Sequence, residues 1–138
     1  MTLRFVLDLQ RATHRVGLYV ERLRELGVTQ GEAHILAHLH GAQRATVAEL
    51  HRALAHKRST LTSILDRLEA RGLVARETSS TDRRTFVVEL TRDGKRAAKE
   101  VYRHLAEIEA AVARRISPAD LAGFAAVVAA IEEFATEA

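Results

Sequence analysis

The sequence predicts a mainly α-helical protein with one short β hairpin, which is an α+β fold. Three observations lead to this prediction. Apolar residues recur at helical spacing over most of the 138 residues. Residues with a side-chain oxygen, Thr29, Thr46 and Ser117, stand where helices are expected to begin. The segment TFVVEL (85–90) instead has alternating side chains, which is typical of a half-buried strand.

The first two helices are predicted from spacing and end signals. The first covers about residues 3–26 and stops at Gly27, since glycine readily takes the left-handed conformation that follows many helices. The second begins at Thr29 with Glu32 three residues later and runs to about His40. This pair has the spacing of a capping box, in which each side chain accepts a hydrogen bond from a backbone N–H group.

A third and a fourth helix follow. Thr46 and Glu49 have the same capping-box spacing and start the third. The fourth covers about residues 58–71, because four apolar residues lie at the spacing of one buried helix face. These apolar residues are Leu61, Ile64, Leu65 and Leu68. The opposite face is polar and includes several hydroxyl side chains.

Two strands are predicted next, LVARET (73–78) and TFVVEL (85–90), around the basic loop SSTDRR (79–84). Phe86, Val88 and Leu90 are expected to anchor the hairpin on one face. An isolated hairpin is only marginally stable, so this face should pack on the preceding helices.

Two long helices close the chain. Thr91 caps one that reaches about residue 116, and Ser117 caps the last, with Pro118 at its first position. The last helix is apolar on more than one side. We therefore expect a second copy of the chain to cover it, with twofold symmetry. The residues predicted for this dimer interface are Phe5, Leu9, Leu121, Phe124, Val128, Ile131 and Phe134.

Composition limits the class of protein. The chain has no cysteine, which excludes disulfides, thiolate catalysis and cysteine-ligated zinc. The longest apolar run, residues 121–131, is too short to span a bilayer, and we recognise no secretion signal. We therefore expect a cytoplasmic protein that has no membrane partner.

Net positive charge is concentrated in the middle of the chain. Residues 44–96 hold 12 Lys and Arg against 7 Asp and Glu, whereas the rest of the chain holds 9 against 11. A basic middle segment indicates a surface for a polyanion. Six aromatic residues are too few for a base-stacking platform, so single-stranded nucleic acid is not favoured.

The order of the middle elements predicts a winged helix-turn-helix: two short helices, a polar-faced helix, then a two-stranded β wing with a basic tip. Small hydroxyl side chains at a helix N-terminus can enter the major groove of double-stranded DNA. A basic hairpin can reach the neighbouring minor groove. Residues 29–90 are expected to form this lobe, and residues 1–28 and 91–138 a helical dimerisation region, within one compact domain overall.

The run TVAELHRALAHKRSTLTSILDRLEARGLVARETSSTDRRTFVVELTRDGKRA (46–97) resembles the MarR transcriptional regulators. Its most specific parts are LDRLEARGLV (65–74), DRR (82–84) and LTRDGK (90–95). The resemblance implies a homodimer that grips a palindromic operator, and a repressor that is released by a small ligand, often aromatic or phenolic. It assigns Arg84 to the minor groove, Asp82 to the orientation of the arginines and Arg83 to a phosphate.

The chain departs from that family at the turn before the fourth helix. Ala55 stands where a glycine is usual, and His51 stands where the family has a small residue. Lys57 replaces the usual serine or aspartate cap. These changes affect the expected geometry of the turn and the operator preference, but not the fold.

The predicted DNA-binding set follows from the hydroxyl-bearing helix face, its flanking cations and the wing. In the recognition helix it comprises Lys57, Arg58, Ser59, Thr60, Thr62, Ser63 and Arg67, and in the wing Arg76, Asp82, Arg83 and Arg84. Asp66 would repel phosphate, so an ion pair with a nearby arginine is expected for it.

Three other hypotheses about function and ligand binding remain open. The chain has seven histidines, and His34 and His38 are one helical turn apart, so a metal-responsive regulator is an alternative, although no metal motif is present. An organic ligand could instead lie in a pocket lined by Tyr19, His34, His38 or His104. A winged-helix scaffold for protein contacts is the third possibility. We find no motif for an enzyme and expect no cofactor.

Overall fold

The computed structural model describes residues 2–23, 25–78 and 86–137. Within these ranges it contains six α-helices and three strands. In chain order they are α1 (Val6–Arg22), α2 (Gln30–Ala42), β1 (Arg44–Thr46), α3 (Val47–Leu54), α4 (Arg58–Ala70), β2 (Val74–Thr78), β3 (Phe86–Leu90), α5 (Arg92–Ala113) and α6 (Pro118–Glu137). The predicted mainly α-helical fold is confirmed. No helix in the described ranges has the length and apolar character needed to cross a bilayer.

The first helix is shorter than predicted at both ends. It starts at Val6 and ends at Arg22, because Leu23 leaves the helical conformation with φ −79° and ψ 79°. Gly27 has a φ of 60°, so it takes the left-handed conformation expected of it, but in the loop and not directly after the helix.

The side-chain caps occur largely where the sequence predicts them. Thr46 and Glu49 form a complete capping box at the start of α3. At α2 only half of the box exists: the Thr29 hydroxyl accepts a hydrogen bond from the Glu32 N–H, and the Glu32 side chain turns elsewhere. Ser117 caps α6 by accepting a hydrogen bond from the backbone N–H of Asp120.

The sheet has one strand more than expected. The predicted hairpin is present as β2 and β3, and β1 pairs with the other side of β3, which gives the order β1-β3-β2. All pairs are antiparallel, with Val88 opposite both Ala45 and Arg76. A strand of three residues is too short to form an alternation pattern, so β1 could not be predicted from the sequence.

The expected anchor of the hairpin is partly wrong. Val88 and Leu90 are buried, whereas Phe86 is 49% exposed. Phe86 is the first residue of β3, opposite Thr78 at the outer end of β2. The alternation therefore continues beyond the part of the hairpin that is covered by helices.

The start of α5 is fixed against the end of α4. The Thr91 hydroxyl donates a hydrogen bond to the carbonyl oxygen of Gly72 at 2.6 Å and accepts one from the Gly94 N–H at 3.0 Å. A Cβ atom on Gly94 would lie 1.8 Å from the carbonyl oxygen of Leu73, so only glycine fits there. Gly72 itself has a φ of 72°. The LTRDGK segment thus joins the end of α4, the sheet and the start of α5 through close backbone contacts.

The chain divides into two compact units, residues 1–104 and 105–138. This boundary lies inside α5. The first unit has a core formed by α2, α3, α4, the sheet and the first part of α5, including Leu36, Leu50, Leu65, Val88 and Val101. Because α1 packs on α2, it belongs to this unit.

The second unit consists of the end of α5 and all of α6. Most of its large apolar side chains are exposed in the single chain. These are Val112, Ile116, Leu121, Phe124, Val127 and Phe134. Of the other residues predicted for the dimer interface, Phe5 is exposed. Three are half-buried: Leu9, Val128 and Ile131.

Candidate nucleic-acid interface

Helix α4 presents a polar face because its apolar face is held in the core. Leu61, Ile64, Leu65 and Leu68 are all at most 4% exposed. This burial fixes the rotation of the helix, since the hydrophobic stripe can face only inward. The side chains predicted to contact DNA from this helix are all exposed. They are Lys57, Arg58, Ser59, Thr60, Thr62, Ser63 and Arg67.

The turn into α4 shows why this chain departs from the expected pattern. Ala55 adopts the left-handed conformation, with φ 55° and ψ 22°, at the position where a glycine is usual in the family it resembles. Lys57 is the N-cap of α4 and makes no capping hydrogen bond with its side chain. The turn therefore places an alanine in a backbone conformation that suits glycine better.

Arg76 is the middle residue of β2, and its side chain is held against α4. Its Nε is 2.6 Å from Oε2 of Glu69 and its Nη2 is 2.6 Å from Oδ1 of Asp66. The hydrogen bond to Glu69 raises the pKa of Arg76, so its charge is permanent. Arg76 thus links β2 to α4, and its predicted contact with DNA stays a prediction. The ion pair expected for Asp66 is confirmed.

A second ion-pair cluster joins α4 to α2. Glu32 is buried, and its carboxylate lies 2.8 Å from Nη1 of Arg71 and 3.7 Å from Nε of Arg67. Arg67 also donates a hydrogen bond to the Ser63 hydroxyl at 3.0 Å. This role of Glu32 was not predicted from the sequence, because the residue was interpreted only as half of a capping box. A glutamate one helical turn from the apolar positions Ile35 and Leu36 was the available signal.

An open cleft of about 650 Å³ lies between α2 and the polar face of α4. His34 of α2 and His56 of the turn line it, with their rings edge to face and their centroids 5.8 Å apart. Burial lowers the pKa of His34, and the positive charges of His56 and His38 lower it further. The rest of the lining is mostly polar: Thr29, Gln30, Gly31, Ser59, Thr60, Ser63, Ile64 and Arg67.

The predicted ligand-pocket residues do not come together at this cleft. Only His34 lines it; Tyr19, His38 and His104 do not. His104 is buried, with its Nε2 3.8 Å from Oε1 of Glu25, because α5 turns this residue into the first unit. Spacing along one helix could not show which face each histidine would occupy. Among the described side chains, no group of three or more potential ligands is arranged to hold a metal ion.

A smaller cleft of about 420 Å³ is lined by residues of α3 and α4 and by Phe86 at the outer end of β3. Exposed Phe86 forms part of its wall, together with residues from α3 and α4. The lining is Val47, Ala48, His51, Arg52, Arg58, Leu61, Thr62 and Phe86. The three residues predicted for the wing tip, Asp82, Arg83 and Arg84, lie outside the described residues.

Comparison with known proteins decides the family. The model of the MarR family matches residues 26–85, which include α2 to α4 and β2. The HTH-type transcriptional repressor MdtR of Bacillus subtilis (strain 168) is 34% identical over 98 residues, or 71% of this chain. The chain belongs to the MarR family. It covers 61% of the length of the MdtR repressor.

Solved structures of MarR-family regulators share the fold over nearly the whole chain. The crystal structure of MarR has a TM-score of 0.75 at 20% identity, covering 98% of this chain and 92% of that one. The S. aureus MepR–DNA complex has a TM-score of 0.83 at 18% identity, covering 96% and 98%. NadR in complex with 4-hydroxyphenylacetate has a TM-score of 0.80 at 22% identity, covering 94% and 93%. At these identities the likeness concerns the fold, and it confirms the predicted winged helix-turn-helix.

Proposed function

We propose that this MarR-family chain is a homodimeric transcriptional repressor that binds a palindromic operator in double-stranded DNA. The observation that carries the proposal is the exposed face of α4. Its hydroxyl groups and cations are held outward by a fully buried stripe and by ion pairs to α2 and β2. A fixed helix with short donors and acceptors is suited to reading base edges in the major groove.

The roles proposed for single residues follow from their places on this face. Ser59, Thr60, Thr62 and Ser63 read the major groove. Lys57 and Arg58, at the start of α4, contact the phosphates that flank it. Arg84 enters the minor groove, Asp82 orients the wing arginines and Arg83 contacts a phosphate. Arg76 holds β2 against α4 through its ion pairs with Asp66 and Glu69.

Two lobes are needed for a palindromic site. The exposed apolar side chains of α6 and of the segment before α1 are proposed to bury one another in a dimer. The two recognition helices would then lie about one helical turn of DNA apart, roughly 34 Å. MdtR is a transcriptional repressor and MepR was solved in complex with DNA, which supports a DNA-binding role for this chain.

Release by a small ligand is part of the proposal. The structure of NadR contains 4-hydroxyphenylacetate, which makes small phenolic acids the first class to test. Such a ligand acts only if it binds better to a dimer whose lobe spacing does not fit the operator. Catalysis has no part in the proposal, and no observation favours a metal-responsive regulator or a protein-interaction scaffold.

The test is a titration of duplex DNA selected by the protein from a random library, at several salt concentrations. We expect affinity to fall with salt, with a slope of about −0.9 for each phosphate neutralised. Phenolic acids should then be screened for release of the bound duplex. Absence of any selected duplex, or a binding constant that does not change with salt, would exclude the repressor and leave a scaffold for protein contacts.

A further inference from the structure

Glu32 is a charged residue in a buried position. Its side chain is only 5% exposed, and the Thr29 hydroxyl caps the backbone N–H of the same residue. A buried carboxylate must be paired, because an isolated charge loses its hydration without compensation. Here the pairing groups are Arg67 of α4 and Arg71, the residue that caps its C-terminus, so the carboxylate reaches from α2 to the recognition helix.

The two arginines differ in what else they contact. Arg71 lies next to the end of α4 and directs Nη1 at Glu32 over 2.8 Å. Arg67 lies one turn earlier, on the face proposed for DNA, and faces Glu32 with Nε while its Nη1 donates to the Ser63 hydroxyl. Its side chain is 49% exposed. The Arg67 guanidinium is therefore held at two points and still accessible from outside.

A guanidinium group held in this way differs from a mobile one in what it can recognise. An arginine in a fixed orientation can form paired hydrogen bonds with a base edge, which carry sequence information. An arginine that moves freely binds the nearest phosphate, and this contact carries none. The orientation of Arg67 thus affects the specificity of binding more than its strength.

We propose that Glu32 is a positioning residue that sets the sequence specificity of DNA binding through Arg67. This inference rests on the proposed function and adds to it a residue that does not contact DNA. Arg71 screens the remaining charge of Glu32 and anchors it to α4. Ser63 completes the geometry by accepting the second contact of Arg67.

The first test is Glu32→Gln, which keeps the shape and removes the charge. We expect the ratio of affinities for selected and random duplexes to fall roughly tenfold. Affinity for random DNA should not fall, and its salt slope should steepen by about 0.9, because the released Arg67 gains a phosphate. A variant damaged only in its fold would instead lose affinity for both duplexes in parallel, and that result would overturn the inference.

The matched control is Glu109→Gln on α5, which is exposed and removes the same charge. It should leave the affinity ratio unchanged. A loss of discrimination equal to that of Glu32→Gln would mean that net charge alone is responsible, and it would overturn the inference.

Two further variants show whether Glu32 acts through Arg67. In an Arg67→Ala background, Glu32→Gln should change discrimination no further, since interacting residues are not additive. Arg67→Lys keeps the positive charge but cannot make both contacts, and it leaves the buried Glu32 unchanged. This variant should lose discrimination to the same degree as Glu32→Gln. Additive effects in the first case, or discrimination by Arg67→Lys equal to wild type, would each overturn the inference.

The outcomes separate this inference from the proposed function. A wild-type chain that binds no duplex DNA removes both. A wild-type chain that discriminates between duplexes, together with a Glu32→Gln variant that discriminates equally well, removes only the role of Glu32.

Discussion

Arg76 of β2 lies against Glu69 of α4, with its Nε 2.6 Å from Glu69 Oε2. Its Nη2 forms a second hydrogen bond of 2.6 Å with Asp66, one turn earlier on the same helix. One guanidinium group thus connects the first strand of the wing to the recognition helix at two points. Any movement of the wing relative to α4 would have to break both contacts.

Arg76→Ala is expected to lower the free energy of unfolding by about 1 kcal/mol, because two charge-assisted hydrogen bonds on a partly exposed surface are lost. DNA affinity should also fall, since the wing is no longer fixed. Urea unfolding and duplex titration measure the two effects. Arg92→Ala, an exposed arginine of α5, is the control and should change neither quantity. An Arg76→Ala variant with wild-type affinity would show that the wing needs no such support.

Ala55→Gly is expected to stabilise the protein by about 0.5 kcal/mol. Ala55 has a φ of 55°, which costs an alanine roughly 1–2 kcal/mol, and the greater freedom of glycine in the unfolded chain offsets part of this gain. Ala48→Gly inside α3 makes the same chemical change at helical dihedral angles and should destabilise by about 1 kcal/mol. Thermal unfolding of both variants checks the opposite signs. A loss of stability in Ala55→Gly would mean that the αL turn is held without strain.

Stability should decrease below about pH 6.5, the ordinary pKa of His34, because burial lowers the pKa of His34 in the folded protein. As pH falls past this value, the unfolded chain takes up the proton first, so unfolding becomes easier until pH passes the folded pKa. Above the ordinary value both states are neutral at this site and the stability is complete. Unfolding measured at about pH 7.5 and about pH 5.5 covers the window and avoids the carboxylates. His34→Asn should make the loss of stability at low pH smaller, whereas His14→Asn, at an exposed position, should not. Equal behaviour of the two variants would contradict the assignment of this pH dependence to His34.

Phe124→Glu is expected to dissociate the dimer, because Phe124 is 55% exposed in the single chain and the change would bury a charge in the interface. Operator affinity should then fall by about 100-fold or more, since two linked lobes become separate binders. Sedimentation reports the assembly state and titration reports the affinity. Lys95→Ala on α5 alters net charge by the same amount and should remain dimeric. A dimeric Phe124→Glu would place the interface elsewhere.

Arg84→Ala is expected to weaken operator binding by about 1–3 kcal/mol while the dimer stays intact, because the wing loses its minor-groove contact. This prediction rests on the DRR motif and the family, since the wing tip lies outside the described residues. Titration at fixed salt, with sedimentation of the same sample, checks both parts. Arg96→Ala, outside the wing, controls for the loss of one positive charge. Unchanged affinity would remove the wing tip from the mechanism.

Much of the fold follows from local patterns. The stripe of α4 and the capping pair of α3 depend on neighbours within one helical turn, so spacing alone predicted them correctly. The first helix ended earlier than its pattern suggested, because Leu23 leaves the helix while apolar residues still follow. Strand β1 has three residues and exists only because β3 offers it a partner.

The candidate site was predicted less completely than the fold. The exposed face of α4, with its hydroxyl and basic side chains, could be predicted from the sequence, because a helix that buries one apolar stripe exposes its opposite face to solvent. The role of Arg76 could not, since its partners lie seven and ten residues away on another element. His34 and His38 share α2 whereas His104 lies on α5, and the cleft that His34 lines depends on the turn that brings His56 beside it.

By itself, the sequence determined the order of the six helices and of the two wing strands, the polar face of α4 and the family, because each depends on residues close together in the chain. Only the tertiary structure decided what holds that face in place. Glu32 is 39 residues from Arg71, and it pairs with it because the packing of α2 on α4 leaves a buried carboxylate within 2.8 Å of one guanidinium group. Local spacing carries no information about such a pair, since the energy that forms it arises only when the two helices exclude water together.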